Sequence, residues 1–243
     1  MIASKDFTQN NKKTISKILL EFLGNLFFAY CVIVSLALIL FSSVTIECDV
    51  EGLSMYPTFN DNYGSNKNDV VFVNLYDKNI TYGDIVVVKT DKNKIIKRVI
   101  ALAGDKIDIV KVDNEYLIEL NGEVLHENYI CYNINPSTPA ISQNGIDATY
   151  RKFSDLRTKQ PENFEGVDEE GAGTGKYIVP DNSIFILGDN RAVSQDSSYY
   201  GAFTLEQTEG KVEFIKKYNE SEFHFYYYYI VEGKFFRTII NLL

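Results

Sequence analysis

From Phe22 to Ile46 the chain runs for 25 residues without a charged side chain, rich in Leu, Ile, Val and Phe. About 20 such residues cross the hydrocarbon core of a bilayer as a helix. Lys5, Lys12, Lys13 and Lys17 precede the run, whereas Glu47, Asp49 and Glu51 follow it and no Lys or Arg appears until Lys67. This asymmetry places residues 1–21 in the cytoplasm and everything after residue 46 outside, in a single pass. The apolar stretch is too long for a cleaved leader, and no small-residue cleavage site closes it. The reading is an uncleaved anchor over 22–46 followed by one outer domain, 47–243.

Composition narrows the function. A net charge of −9 argues against gripping phosphate backbones, so no nucleic-acid partner is expected. With two histidines and no CxxC spacing among Cys31, Cys48 and Cys131, neither a metal nor a cofactor is expected. Cys31 lies in the apolar run, so only Cys48 and Cys131 could pair, and three free thiols is the plainer reading.

Past the anchor, strand signals follow at short intervals: 70–75, 84–90, 95–102, 106–112, 115–120, 183–187, 211–218 and 223–231. Turn residues separate them, among them Asn121-Gly122, a two-residue hairpin signal. The outer domain reads as mainly β, a coiled antiparallel barrel or sandwich. Residues 129–176 break the pattern with three of the five prolines, an acidic patch and Gly171-Ala-Gly-Thr-Gly175. The glycines lack the Walker spacing, so the segment reads as a surface insertion, partly disordered.

Glu51-Gly-Leu-Ser-Met-Tyr-Pro-Thr-Phe59 begins shortly after the apolar run. At about 3.3–3.6 Å per residue, Ser54 stays within roughly 25–30 Å of Ile46 and hence near the outer membrane surface. A serine hydroxyl needs a base to become a nucleophile. His126 and His224 lie in no catalytic context. Lys97 stands in the strand Lys94–Leu102 among Ile95, Ile96, Val99 and Ile100. Desolvation there disfavours its charged form, which suits a general base; a strand-edge lysine reaching water fits the same pattern. Asp189-Asn-Arg191 with Ser194-Gln-Asp196 makes a second polar cluster, read alone as a hydrogen-bonded loop.

Taken in order, these stretches resemble the bacterial type I signal peptidases. The resemblance rests on Ser54-Met-Tyr-Pro-Thr58, Gly83-Asp-Ile-Val-Val87, Lys97-Arg-Val-Ile-Ala-Leu-Ala-Gly-Asp105, and Gly188-Asp-Asn-Arg191 with Ser194-Gln-Asp-Ser197. It implies a membrane-anchored serine endopeptidase that removes signal peptides from secreted preproteins by a Ser/Lys dyad. Ser54 would be the nucleophile and Lys97 the general base, with Ser194 orienting the lysine. Gly52, Arg98, Asp189, Arg191 and Asp196 would form the surrounding framework, and the backbone N–H of Ser54 the oxyanion donor. Where some members carry a hydroxyl two residues before the nucleophile, this chain has Gly52. It also departs from the family pattern at Ala103, Ala192-Val193 and Ser198. Small side chains before the scissile bond imply shallow apolar pockets, with the substrate adding as a strand. Met55, Tyr56 and Phe59 line those pockets, meet lipid or pack in the core. The partners implied are preproteins and the lipid bilayer; oligomeric state is not legible. Rival readings are a specialised Ser/Lys processing peptidase and an inactive homologue that binds preproteins without cutting.

Overall fold

A computed structural model describes residues 3–60, 68–112, 115–132, 143–166, 175–217 and 227–228. The chain opens with α1 (Ala3–Val44), uninterrupted by proline. Within it Lys17–Ile39 is long and apolar enough to cross a membrane, with a mean hydropathy of 2.3 and no part of it buried by protein. The helix stops where the β-branched run Val44-Thr45-Ile46 begins, and β1 (Thr45–Asp49) follows at once. Thr45 and Ile46, expected at the end of the anchor, therefore belong to a strand.

The remainder is mainly β. The strands are β2 (Val70–Asn74), β3 (Ile85–Lys89), β4 (Lys94–Leu102), β5 (Lys106–Val112), β6 (Glu115–Leu120) and β7 (Glu123–Val124). After α2 (Gln143–Lys159) come β8 (Tyr177–Ile178), β9 (Ser183–Leu187), the one-turn α3 (Ser197–Tyr200), β10 (Phe203–Thr204), β11 (Thr208–Lys216) and β12 (Tyr227–Tyr228). The larger sheet has the order β1-β2-β11-β3-β4-β9-β10, with β12 paired to β11. A smaller sheet is ordered β7-β6-β5-β8. Pairings from β2 onward are antiparallel in both. The Asn121-Gly122 turn closes β6 onto β7 with φ of 55° and 92°, the left-handed pair that such a hairpin requires.

Alternation along β3 shows how the sheet divides its core. Ile85 and Val87 face one cluster with Met55, Phe59, Val71 and Val73, while Val86 and Val88 face another with Val99, Ile184 and Ile186. Met55 and Phe59 are thus core residues, each 1% exposed, and Tyr56 is half-buried.

The sharpest departure from expectation is α2. Residues 143–159, read as part of a loose surface insertion, form a helix whose Thr149, Phe153 and Leu156 are buried. Phe153 and Leu156 enter a third cluster with Ile107, Ile118, Tyr177, Phe185 and Phe164 of the following turn. Phe153 meets Phe164 and Phe185 edge-on at 5.3 and 6.3 Å. The insertion therefore fills the space between the small sheet and β9. Residues 133–142 and 167–174 of that insertion lie outside the described residues, as does most of the expected strand 223–231. Truncating Phe153 to Ala removes the ring on which this cluster closes. It should destabilise the outer domain by about 3–5 kcal/mol, seen as a lower midpoint in denaturant unfolding of the detergent-solubilised protein; an unchanged midpoint would show that α2 is dispensable to the core.

Candidate active site

The serine segment is a tight turn pinned at both ends. Gly52 has φ of 78°, a backbone setting that favours glycine. Its carbonyl and that of Val50 accept hydrogen bonds from Asn60 Nδ2 at 3.0 and 2.7 Å. Asn60 in turn exchanges two bonds with Asp69, its backbone N–H reaching the carboxylate at 2.7 Å and its Oδ1 taking the Asp69 N–H at 2.8 Å. Inside the turn, Tyr56 N–H donates to Leu53 O and Phe59 N–H to Met55 O. With Met55 and Phe59 anchored in the core, Ser54 is left half-buried at the rim.

β4 brings Lys97 to that rim. Its Nζ donates to Ser54 Oγ at 2.7 Å and to Ile96 O at 2.7 Å, and the residue is 3% exposed. Burial lowers its pKa to about 8, against the pull of the Asp196 and Asp189 carboxylates and with help from the Lys152 ammonium. The strand-edge alternative, with the ammonium in water, is thereby excluded. A buried amine that sheds its proton near neutrality, in contact with a hydroxyl, can take the proton of that hydroxyl.

Behind the pair stands the loop after β9. The adjacent Arg98 forks onto Asp189, Nε to Oδ1 at 2.9 Å and Nη2 to Oδ2 at 2.6 Å, with Thr58 Oγ1 a further donor to Oδ2. Arg98 also donates to Gly83 O and lies 4.0 Å over the Tyr129 ring. Arg191 pairs with Glu127 at 2.5 Å, both side chains under 5% exposed, and its Nε donates to Gly188 O. Asp196 accepts from Gly188 N–H at 2.9 Å and from both the N–H and the hydroxyl of Ser198. The loop meets the serine directly where Asn190 N–H donates to Ser54 O at 3.0 Å.

All eight residues singled out in the sequence, Gly52, Ser54, Lys97, Arg98, Asp189, Arg191, Ser194 and Asp196, fall in this serine turn, strand and loop. One detail differs from expectation. Ser194 Oγ is buried without a hydrogen-bond partner, and the second acceptor of Lys97 is Ile96 O. Three participants carried no sequence signal: Asn60, Glu127 and Lys152, each isolated from any recognisable spacing; Thr58 stands within the first quoted motif. Cys31, Cys48 and Cys131 form no disulfide, and Cys131 Sγ donates to Tyr56 O at 3.1 Å. His126 is exposed, and His224 lies outside the described residues.

A cleft of about 760 Å³ opens beside the pair, walled by Cys48, Val50, Leu53, Val71, Val87 and Ile95. β4 pairs with β3 from Lys94 onward, yet its β9 partner begins only at Arg98. The free edge of residues 94–97 thus faces the cleft, with the 48–54 segment among its lining.

Comparison with known proteins matches residues 23–216 to the family described as signal peptidase, peptidase S26. The chain is similar to signal peptidase I S of Bacillus subtilis, 32% identical over 77% of this chain and 85% of that protein. Signal peptidase I of Bacillus caldolyticus is 34% identical over 77% and 86%. Signal peptidase IB of Staphylococcus aureus is 31% identical over 68% and 74%.

Gly188 has no room for a side chain, since a Cβ would overlap Ser194 Oγ and the Ser54 carbonyl oxygen. Gly188→Ala should push the serine turn off the loop and lower the rate of cleavage at least tenfold while the domain still unfolds cooperatively. Full activity in that variant would mean that the contact is not needed.

Proposed function

The chain belongs to the signal peptidase family, peptidase S26, and from that membership we propose that it cuts by a Ser54/Lys97 dyad at the outer face of the membrane. It is an endopeptidase of the signal peptidase class, and its substrates are preproteins with signal peptides. One observation supports the dyad above others: a lysine 3% exposed, with its amine 2.7 Å from the serine hydroxyl.

In this mechanism uncharged Lys97 accepts the Ser54 proton as Oγ bonds to the scissile carbonyl carbon. The resulting ammonium then protonates the leaving amine, freeing the mature protein and leaving an ester on Ser54. Water, deprotonated by the same lysine, attacks the ester and releases the signal peptide's new carboxylate. The backbone N–H of Ser54 is the proposed donor to the developing oxyanion. One such donor is worth about 2.7–4 kcal/mol. The unpartnered Ser194 hydroxyl is the group that can orient the lysine once its bond to Ser54 is given up. The signal peptide's segment before the cut adds as a strand along the free edge of residues 94–97, its small side chains meeting the apolar wall.

The apolar segment of α1 is the proposed single-pass anchor, with the N-terminus cytoplasmic and the catalytic domain outside. Protease added to intact protoplasts should then degrade the catalytic domain; protection until the membrane is broken would reverse the topology.

The dyad is tested by preprotein cleavage in detergent. Ser54→Ala and Lys97→Ala should each lose activity by at least a thousandfold, and wild-type kcat/KM should rise with pH through about 8 as Lys97 loses its proton. Wild-type rates in either variant, or a flat profile between pH 6 and pH 9, would sink the dyad. A wild-type protein that binds preproteins without cutting any would instead identify a binding homologue.

A further inference from the structure

We propose that Lys152, on α2, is a positioning residue of the active site: it fixes the Asn190–Ser194 turn and holds a second positive charge near Lys97, favouring the uncharged amine. This inference rests on the dyad reading and concerns a residue in none of its motifs.

Lys152 Nζ donates to Ser194 O at 2.6 Å and to Arg191 O at 3.2 Å. Thr149, three residues earlier on the same face, adds a bond from its hydroxyl to Arg191 O at 3.3 Å. The turn so held is closed internally by Ser194 N–H to Asn190 O, and Asn190 N–H reaches Ser54 O. A line of three hydrogen bonds therefore joins α2 to the carbonyl of Ser54. The helix cannot easily yield, because Phe153 and Leu156 beside Lys152 are 2% and 1% exposed in the core.

The charge matters as well as the bonds. Both acceptors of Lys152 are neutral carbonyls, and among the described residues it makes no ion pair. Its positive charge is not cancelled by contact with a carboxylate. It acts on Lys97 against Asp196 and Asp189, lowering the lysine's affinity for a proton. Burial lowers the pKa of Lys152 itself, Asp196 favours its charge, and Arg151 and Arg191 oppose it.

The test measures kcat/KM of full-length protein in detergent against pH with one preprotein. In Lys152→Gln and Lys152→Met the acid limb should move to higher pH, and kcat/KM at neutral pH should fall about tenfold, mostly through kcat. Lys152→Arg, which keeps charge and donors, should retain the wild-type limb. An acid limb at the wild-type pH in the neutral variants overturns the proposal, whatever their overall rate. So does failure of both neutral variants to fold, since Lys152 would then be holding the domain together rather than setting the protonation of Lys97. Lys97→Ala, run alongside, separates the two readings: activity there defeats the dyad, whereas an inactive Lys97→Ala beside wild-type-like Lys152 variants defeats only this inference.

Discussion

An amine buried against a hydroxyl is the arrangement on which the rest of this domain turns. A charged lysine loses much of its hydration inside a protein, and its proton becomes easier to remove as a result. The fold must hold such a group in place without neutralising it completely. It does so by setting two carboxylates nearby and giving each other partners: Asp189 is taken by Arg98 and Thr58, Asp196 by Gly188 and Ser198. The acids thereby keep the site from being wholly hostile to a cation while remaining unavailable to clamp Lys97 itself.

That division explains why so much buried polarity gathers in a small space. Buried ion pairs add little net stability and are better understood as fixing one arrangement among several. Arg98–Asp189 joins β4 to the loop after β9, and Arg191–Glu127 joins that loop to the segment that follows β7. Cys131 strengthens the second junction, its N–H donating to Asp189 O and its carbonyl accepting from Arg191 N–H. β4 and the loop carry the quoted motifs, whereas Glu127, Cys131 and α2 support them from outside those motifs.

The sequence was most readable where period and punctuation coincide. β5, β6 and β9 have the expected bounds because short apolar-rich runs end at clear turn signals. α2 was illegible for a physical reason: among its described side chains, Phe153 and Leu156 are the large apolar ones that reach the core, too few to stand out as a helical stripe. The site divides in the same way. Ser54, Lys97 and the Asp189–Asp196 loop announce themselves by order along the chain. Asn60, Glu127 and Lys152 do not, because what they do depends on tertiary proximity between segments far apart in sequence.

Lys97 and Arg98 are neighbours on one strand, and successive strand residues point to opposite sides. A slip of β4 by a single position would exchange them, offering the serine a guanidinium that never gives up its proton and the carboxylate a lysine. The two-pronged grip of Arg98 on Asp189 fits only one alignment. It thus serves as a registration pin, and it decides which of two adjacent buried cations meets Ser54.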